Sequence, residues 1–407
     1  MEYKRPKRKR LGAILVISFS LLLIATACTT APTTQSQEKV VKVGSLTTHT
    51  GPGGAACQYA FMTWAEYMKY VNDENLIPGV TVENVWADTR QDTGLAISST
   101  RRFIDMGTPV IMSIVYPDYL RKILAQEEVP LLSLAVTSAA IYPPGWIYHV
   151  YPTWPESFAA WCQWIMSNWE EDRPPRVTLI GPDSPLGPPA IESALNYVES
   201  IGIEMLPSEF IPYVPLDTSP QLLRMNERGS DFVYICGIWT LAVPVLKDAE
   251  RLGLIGKMHF AGYDNTQSTG FLKALGTTAE GYTSPRTIPW VTETEIPGIE
   301  LMRELRTKYN GKLEFQSDEA HSIVIGAVLV EALNKAIEDV GYENLNGAAV
   351  KRALGSINNF DAYGIKTITY TPEDHRGNNL VKIYQVIDGN VVPISDYIEA
   401  PMLAPEE

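Results

Sequence analysis

Short apolar, β-rich runs alternate with helical stretches twice over along this chain, and that alternation restricts the fold more than any other feature. In the first block the strand-like runs are Val40–Leu46, Val80–Trp86, Pro109–Ile114, Val129–Leu134 and Trp146–Val150. Helical patterns from about Tyr59 to Asn72, Leu95–Met106 and Tyr119–Gln126 lie between them. Apolar strands separated by helices argue for a parallel sheet covered on both faces. Pro152-Thr153-Trp154-Pro155 punctuates the chain, and a second block follows. Its expected helices are Phe158–Trp169, Ala190–Ile201, Pro220–Arg228 and Leu241–Leu252. Its expected strands are Arg176–Ile180, Ile203–Phe210, Asp231–Cys236 and Lys257–Ala261. Two consecutive blocks of this kind predict an α/β protein of two doubly wound lobes. After Gly281 come helices at Pro297–Tyr309, Asp318–Val340 and Ala348–Leu354, then short strands at Ile365–Tyr370, Val381–Val386 and Val391–Ile394. Asp388-Gly389 sits at a hairpin turn between the last two. Elements added after two complete lobes suggest that the chain crosses back between them.

The amino terminus addresses location. Six cations lie within Met1–Arg10, an uncharged apolar run covers Leu11–Ile24, and Ala25-Thr26-Ala27-Cys28 follows. A basic segment, a short apolar segment and small residues predict an export signal over residues 1–27. The Cys directly after the small residues resembles the bacterial lipoprotein signal, which makes Cys28 the expected lipid-attachment site; an ordinary signal peptide with an incidental Cys is the alternative. Ala25 stands where such signals more often have Leu. Residues 28–38 are polar and without periodicity, and read as a flexible tether. No later stretch looks long enough to span a membrane.

Without residues 1–27 the 407-residue chain keeps 380, about the length of two domains. The segment lost carries a net charge of +5, so the formal charge falls from −14 to −19. So acidic a body argues against a nucleic-acid partner, which would need a basic face. Cys57, Cys162 and Cys236 are widely spaced, leaving at most one intramolecular disulfide and no metal-site pattern. The five histidines are scattered, with no HExxH, and no GxSxG is present. Neither a cofactor, a metal nor an enzymatic activity is expected.

Several segments together resemble the type I periplasmic solute-binding proteins, specifically the branched-chain amino acid and amide branch that serves ABC importers. They are KVGSLTTHTGP, DTRQDTGLAISSTRRFID, VPLLSLAVTSAAI, RGSDFVYICG, HFAGYDNT and YTPEDHRGNNLVKIYQVIDG, in family order over residues 39–398. The resemblance implies two lobes of the Venus-flytrap kind joined by a three-strand hinge, with crossovers near residues 151–155, 280–284 and 358–363. Lobe 1 is then 39–151 with 283–360, lobe 2 is 152–282 with 361–398, and 399–407 forms a tail. It further implies a monomer that captures a small polar ligand in the cleft, closes on it by hinge motion and docks on an ABC permease. A ligand-sensing subunit serving a membrane sensor is the alternative on the same fold.

The resemblance also nominates site residues. In Ser133-Leu134-Ala135-Val136-Thr137, Ala135 and Thr137 correspond to the positions that hold a ligand carboxylate, although Thr137 has equally the context of a helix N-cap. Tyr116 falls near a carboxylate-binding Ser and adds a ring that could stack on ligand. His49 and Thr50 follow the first strand, where the adjoining glycines allow close backbone approach. Asp264 corresponds to the acidic residue that holds an ammonium, or else caps the next helix. Trp239 is a candidate aromatic platform from lobe 2. Arg286 is either a partner for an anionic ligand or a solvated hinge charge. Two departures, Ala56 and Leu186 at positions expected to be aromatic, put leucine-like amino acids in doubt. They leave room for an amide or carboxylate with an aromatic body.

Overall fold

The computed structural model describes residues 38–51, 54–135, 137–184, 186–311, 315 and 319–404, without the side chains of 55 and 56. The expected signal segment, Cys28 and nearly all of the tether lie outside the described residues, as does the side chain at position 56.

The first sheet contains β1 (Lys39–Thr47), β2 (Val80–Asp88), β3 (Ile111–Ser113), β4 (Leu131–Ser133) and β5 (Ile147–Tyr148), all parallel, in the order β2-β1-β3-β4-β5. The second is built from β6 (Arg176–Gly181), β7 (Glu204–Phe210), β8 (Phe232–Ile235), β9 (His259–Gly262) and β10 (Thr283–Arg286) in the order β7-β6-β8-β9-β10. The two windings are the same, and each reverses between its first and third strands. Ligands of such sheets bind outside the carboxyl ends of the strands at that reversal. A small antiparallel pair follows, β11 (Phe360–Ala362) with β12 (Lys366–Ile368). The chain then returns to the second sheet through β13 (Leu380–Ile387), β14 (Asn390–Pro393) and β15 (Ile398–Glu399), all antiparallel additions.

Two-lobed α/β architecture is therefore present, but one expected crossover is displaced. Residues 283–286 form β10, paired with β9 and β13 inside the second sheet, so the chain leaves that sheet after Arg286 instead of near residues 280–284. Thr-Ser-Pro-Arg has too few apolar residues to read as a strand; its partners on both sides supply the ladder. The expected helix Ala190–Ile201 is a 3₁₀ turn, Pro188–Ala194, followed by the helix Leu195–Ser200. Pro188 and Pro189 occupy its first two positions, where a missing N–H leaves no bond of the turn unmade.

The helices Pro297–Asn310 and Ala320–Val340 pack on Gly54–Asp73, beside the first sheet. A Cβ on Gly326 would lie 2.3 Å from the Tyr67 ring, so the crossing of two helices there requires glycine. At the next turns Ser322 Oγ donates to Ala60 O at 2.8 Å, and Arg306 is buried against Glu66 at 2.9 Å. Against the expectation from sequence, Ala320–Val340 is long and apolar enough to cross a membrane. Most of it is buried inside the protein, where it forms the spine of the core. Cys162 and Cys236 are buried thiols with no disulfide among the described residues.

Candidate functional site

One device, used twice, shapes the lobe 1 wall. β3 and β4 both end in a buried Ser followed by two apolar residues, Ser113-Ile114-Val115 and Ser133-Leu134-Ala135. Ser113 Oγ donates to Val115 O at 2.8 Å and accepts from Val115 N at 3.2 Å. Ser133 Oγ makes the same pair of bonds with Ala135, at 2.8 and 3.2 Å. Each strand end is thus folded back on itself, and its backbone groups are satisfied locally. Leu134 O takes a further bond from Tyr151 Oη, and Ser133 O one from His149 Nδ1 at 2.5 Å. His149 must be neutral to sit there. Burial drives its pKa down to about 3, against the hydrogen bond to Ser133.

Lobe 2 supplies the opposite wall from the carboxyl ends of β8 and β9. Ile238 is extended ahead of the helix Trp239–Arg251 and faces the cavity, together with Asp264 and Asn265 after β9. Trp154 opens the helix Trp154–Asn168 and stacks on Tyr263 at 4.8 Å, while Tyr116 from lobe 1 meets Trp154 edge-on at 5.5 Å. These walls enclose a cavity of about 90 Å³. Its surface is mostly apolar, with Ile114, Val115, Leu134, Leu186 and Ile238 prominent. Polar groups are confined to a few positions, as in most small-molecule sites.

A hydrogen-bonded chain closes the base. Asp264 is 8 % exposed; its Oδ1 accepts from Asn265 N at 2.8 Å and its Oδ2 from Thr287 Oγ1 at 3.1 Å. Thr287 Oγ1 also lies 2.8 Å from His321 Nε2. A hydroxyl has one proton, so Thr287 gives it to Asp264 and accepts from His321. His321 belongs to the helix packed on lobe 1 and Asp264 to lobe 2, so this chain ties the lobes together at the cavity floor. Burial raises the Asp264 pKa, opposed by Arg286, Thr287 and the Asn265 N–H. Asn265 Oδ1 is buried and has no partner among the described residues.

The expected site residues divide into three groups. Tyr116, Ala135 and Asp264 line the cavity together. Thr137 is placed outside it, in a neighbouring depression with Ser138 and, from lobe 2, Asp183 and Glu192. Its hydroxyl is given to Asp118 Oδ2 at 2.7 Å, and Ser138 Oγ reaches Ser193 Oγ across the lobes at 3.2 Å. His49, Thr50, Trp239 and Arg286 do not line the cavity. His49 packs against Phe61 and Trp86, and exposed Thr50 donates to Asp88 Oδ2 at 2.7 Å. Trp239, the first helical residue, is half-buried against the core, leaving its neighbour Ile238 at the cleft.

Arg286 is no solvated hinge charge. It is 1 % exposed, donates from Nη1 to Asp264 O at 3.0 Å and Gln267 O at 3.3 Å, and is covered by the Trp290 and Tyr384 rings. Sequence reasoning missed Tyr151, Trp154, Asn265, Ile238 and His321. Asn265 and Ile238 adjoin nominated positions, and the repeated Ser-apolar-apolar ending is visible in the sequence. Nothing local marks His321, which sits 57 residues beyond Asp264 in the chain.

Residues 40–390 match the model of a family described as periplasmic binding protein. Among solved structures, a branched-chain amino acid ABC transporter protein from Thermus thermophilus with bound valine superposes with a TM-score of 0.82 at 22 % identity, covering 90 % of this chain and 98 % of that one. A fatty acid ABC transporter substrate-binding protein from Thermomonospora curvata gives 0.79 at 18 %, covering 91 % and 96 %. A possible leucine/isoleucine/valine-binding protein from Rhodopirellula baltica SH 1 gives 0.74 at 14 %, covering 88 % and 97 %. At these identities the likeness is one of fold. None of the curated proteins matches the chain significantly.

Proposed function

The chain belongs to the periplasmic binding protein family, whose members act outside the cytoplasm, and from that premise we propose that it is the solute-binding subunit of an ABC importer. One observation carries the reading: the cavity is walled by the carboxyl ends of β3 and β4 from one sheet and of β8 and β9 from the other. A ligand there touches both lobes at once, so it favours the closed state by its contacts with the second wall. Tyr116, Ala135, Trp154, Ile238, Asp264, Asn265 and His321 are its contacts. The depression around Thr137 belongs to the closing rim, where Ser138 meets Ser193.

The protein binds and does not transform its solute. A small ligand with a substantial apolar body fits the lining; the Thermus thermophilus relative holds valine and the Thermomonospora curvata relative is named for fatty acids. A lipid on Cys28 and the polar tether after it would hold a monomeric receptor beside its permease, since several acyl chains anchor a protein stably. The test is a thermal-shift screen of the purified full chain against amino acids, amides, amines and carboxylic acids, confirmed by calorimetric titration. A binding compound raises the melting temperature by mass action. If Ile238→Asp and Leu134→Asp bind the hit as tightly as the parent, the cleft is not the site.

A further inference from the structure

We infer that Tyr213 and Gln91 form the two sides of a gate over the cleft and that Tyr213 sets the longest solute the closed cavity accepts, an inference that rests on the solute-binding reading above. Of the described residues lining the cavity, these two are the exposed ones; the others are buried or half-buried. Tyr213 is 43 % exposed yet lines the cavity, so its ring is a wall with ligand space on one side and solvent on the other. It comes from lobe 2, and Gln91 comes from lobe 1. Burial, then the neighbouring Cys57 and Tyr213, raise the Tyr116 pKa, which places the Tyr213 phenol close to Tyr116 across the cleft.

Both sides are held where local structure alone would not put them. Tyr213 follows β7, the edge strand of its sheet, on a loop that reaches back over the end of β6. The loop is pinned at its start by Ile211 N on Gly181 O at 3.0 Å. At its end Thr218 N and Oγ1 both donate to Asp248 Oδ2, at 2.7 and 2.8 Å. Pro212 and Pro215 stiffen the span between. Among the described residues its middle is latched by one bond, from Tyr213 Oη to Ser184 Oγ at 2.8 Å. The same Ser184 Oγ accepts from Leu186 N at 3.2 Å, so the latch also places Leu186, another wall of the cavity. Val214 and Leu216, on the same loop, are exposed and line no part of the cavity. Opposite, Arg90 and Gln91 are both left-handed, at φ 55° and 60°, inside a turn closed by Asp92 N on Thr89 O at 2.7 Å. Residues other than glycine rarely take that backbone, and such strain persists where the surroundings enforce it. Here Asp88 Oδ1 fixes Arg90 N at 3.1 Å. The enclosed space is about 90 Å³. At about 10–15 Å³ for each water-sized group, it holds roughly six to nine non-hydrogen atoms. A longer solute has to displace the Tyr213 ring.

The experiment is calorimetric titration of the full chain with two homologous series. One is butyrate, hexanoate, octanoate and decanoate; the other is 2-aminobutyrate, norleucine, 2-aminooctanoate and 2-aminodecanoate. In at least one series the parent should bind the four- or six-carbon member best and the ten-carbon member about tenfold or more weakly. Tyr213→Ala should abolish that limit, with affinity rising by up to about fourfold for each CH₂ newly buried. Leu216→Ser should keep the parent's profile. Tyr213→Phe keeps the ring and loses the latch, so the length profile stays while stopped-flow release of the best-bound member quickens about threefold or more. Gln91→Ala should quicken release as well. Affinity that rises smoothly to the ten-carbon member in the parent, or a limit unchanged in Tyr213→Ala, overturns the inference and leaves the solute-binding reading standing. Absence of binding by every compound in both series also overturns it, and the broader screen then judges the solute-binding reading separately. Should Tyr213→Ala fail to fold, the parent's length limit and the release rate of Tyr213→Phe decide, and unchanged release then overturns the gate.

Discussion

Replacing Arg306 by Met tests how the late helices are fastened to the first lobe. Arg306 Nε lies 2.9 and 3.0 Å from the two oxygens of Glu66, and Arg306 Nη2 donates to Thr63 Oγ1 at 2.7 Å. Both charged side chains are only 2 % exposed. Removing the cation leaves a buried carboxylate whose remaining polar neighbour among the described residues is Asn310. Breaking a buried pair on one side costs about 3–5 kcal/mol, because the surviving charge is uncompensated. Met fills much of the aliphatic stem, so a cavity contributes little of that. Removing both charges, with Glu66→Met beside Arg306→Met, should recover most of the loss, since an apolar pair of similar volume is often neutral or stabilising. Urea denaturation followed by far-UV circular dichroism reads the effect. With a slope of roughly 3 kcal/mol/M, the single variant should unfold about 1–2 M earlier with its slope unchanged. A single-variant loss below about 1 kcal/mol, or a double variant no better than the single, would refute the reasoning.

Further predictions concern packing and pH. Gly326→Ala should lower stability by about 1–3 kcal/mol in the same assay, because the Tyr67 ring it strikes is buried and held through its hydroxyl to Tyr363 at 2.9 Å. His149 and His375 are depressed by burial to about 3 and about 4. The unfolded chain therefore binds protons that the native state refuses, and stability falls as pH drops below about 6.5 toward those values. Each histidine should cost about 1.6 kcal/mol between pH 6.5 and pH 5. Melting temperature against pH should show the slope, flattened in His149→Gln and in His375→Gln; parallel curves for parent and variants would contradict it. Asp264 and Asp118, both raised by burial, act in the opposite sense, so the variant-minus-parent difference is the quantity to read.

The site was legible where chemistry sits in the strand-end segment itself. Tyr116, Ala135 and Asp264 follow apolar runs by one to four residues, and such positions fall at a sheet's carboxyl edge. Their neighbours Ile238 and Asn265 were within one residue of nominated positions, but which side chain turns toward the cleft depends on where the next helix begins. Trp239 is already helical, whereas Ile238 before it is still extended. Thr137 carried the expected sequence context, yet its hydroxyl is bonded to Asp118, which lies 19 residues earlier on another loop. Arg286 looked like a surface charge because its strand is short and polar. Only the β9 and β13 partners on either side bury it.

Alternating apolar runs and helical periods determined two doubly wound α/β lobes, because strand burial and helix covering are local demands that each segment meets in its own composition. Which elements close the circuit was decided in three dimensions. The helix Ala320–Val340 is apolar enough for a membrane, yet it lies against Gly54–Asp73 with Gly326 admitting Tyr67, and Pro297–Asn310 joins the same helix through Arg306 on Glu66 across 240 residues. The chain Asp264–Thr287–His321 joins a strand end, a crossover and a distant helix, so no local pattern announces it. Local sequence sets what each segment can bury, whereas the polar groups that meet in a cleft are chosen by how those segments pack.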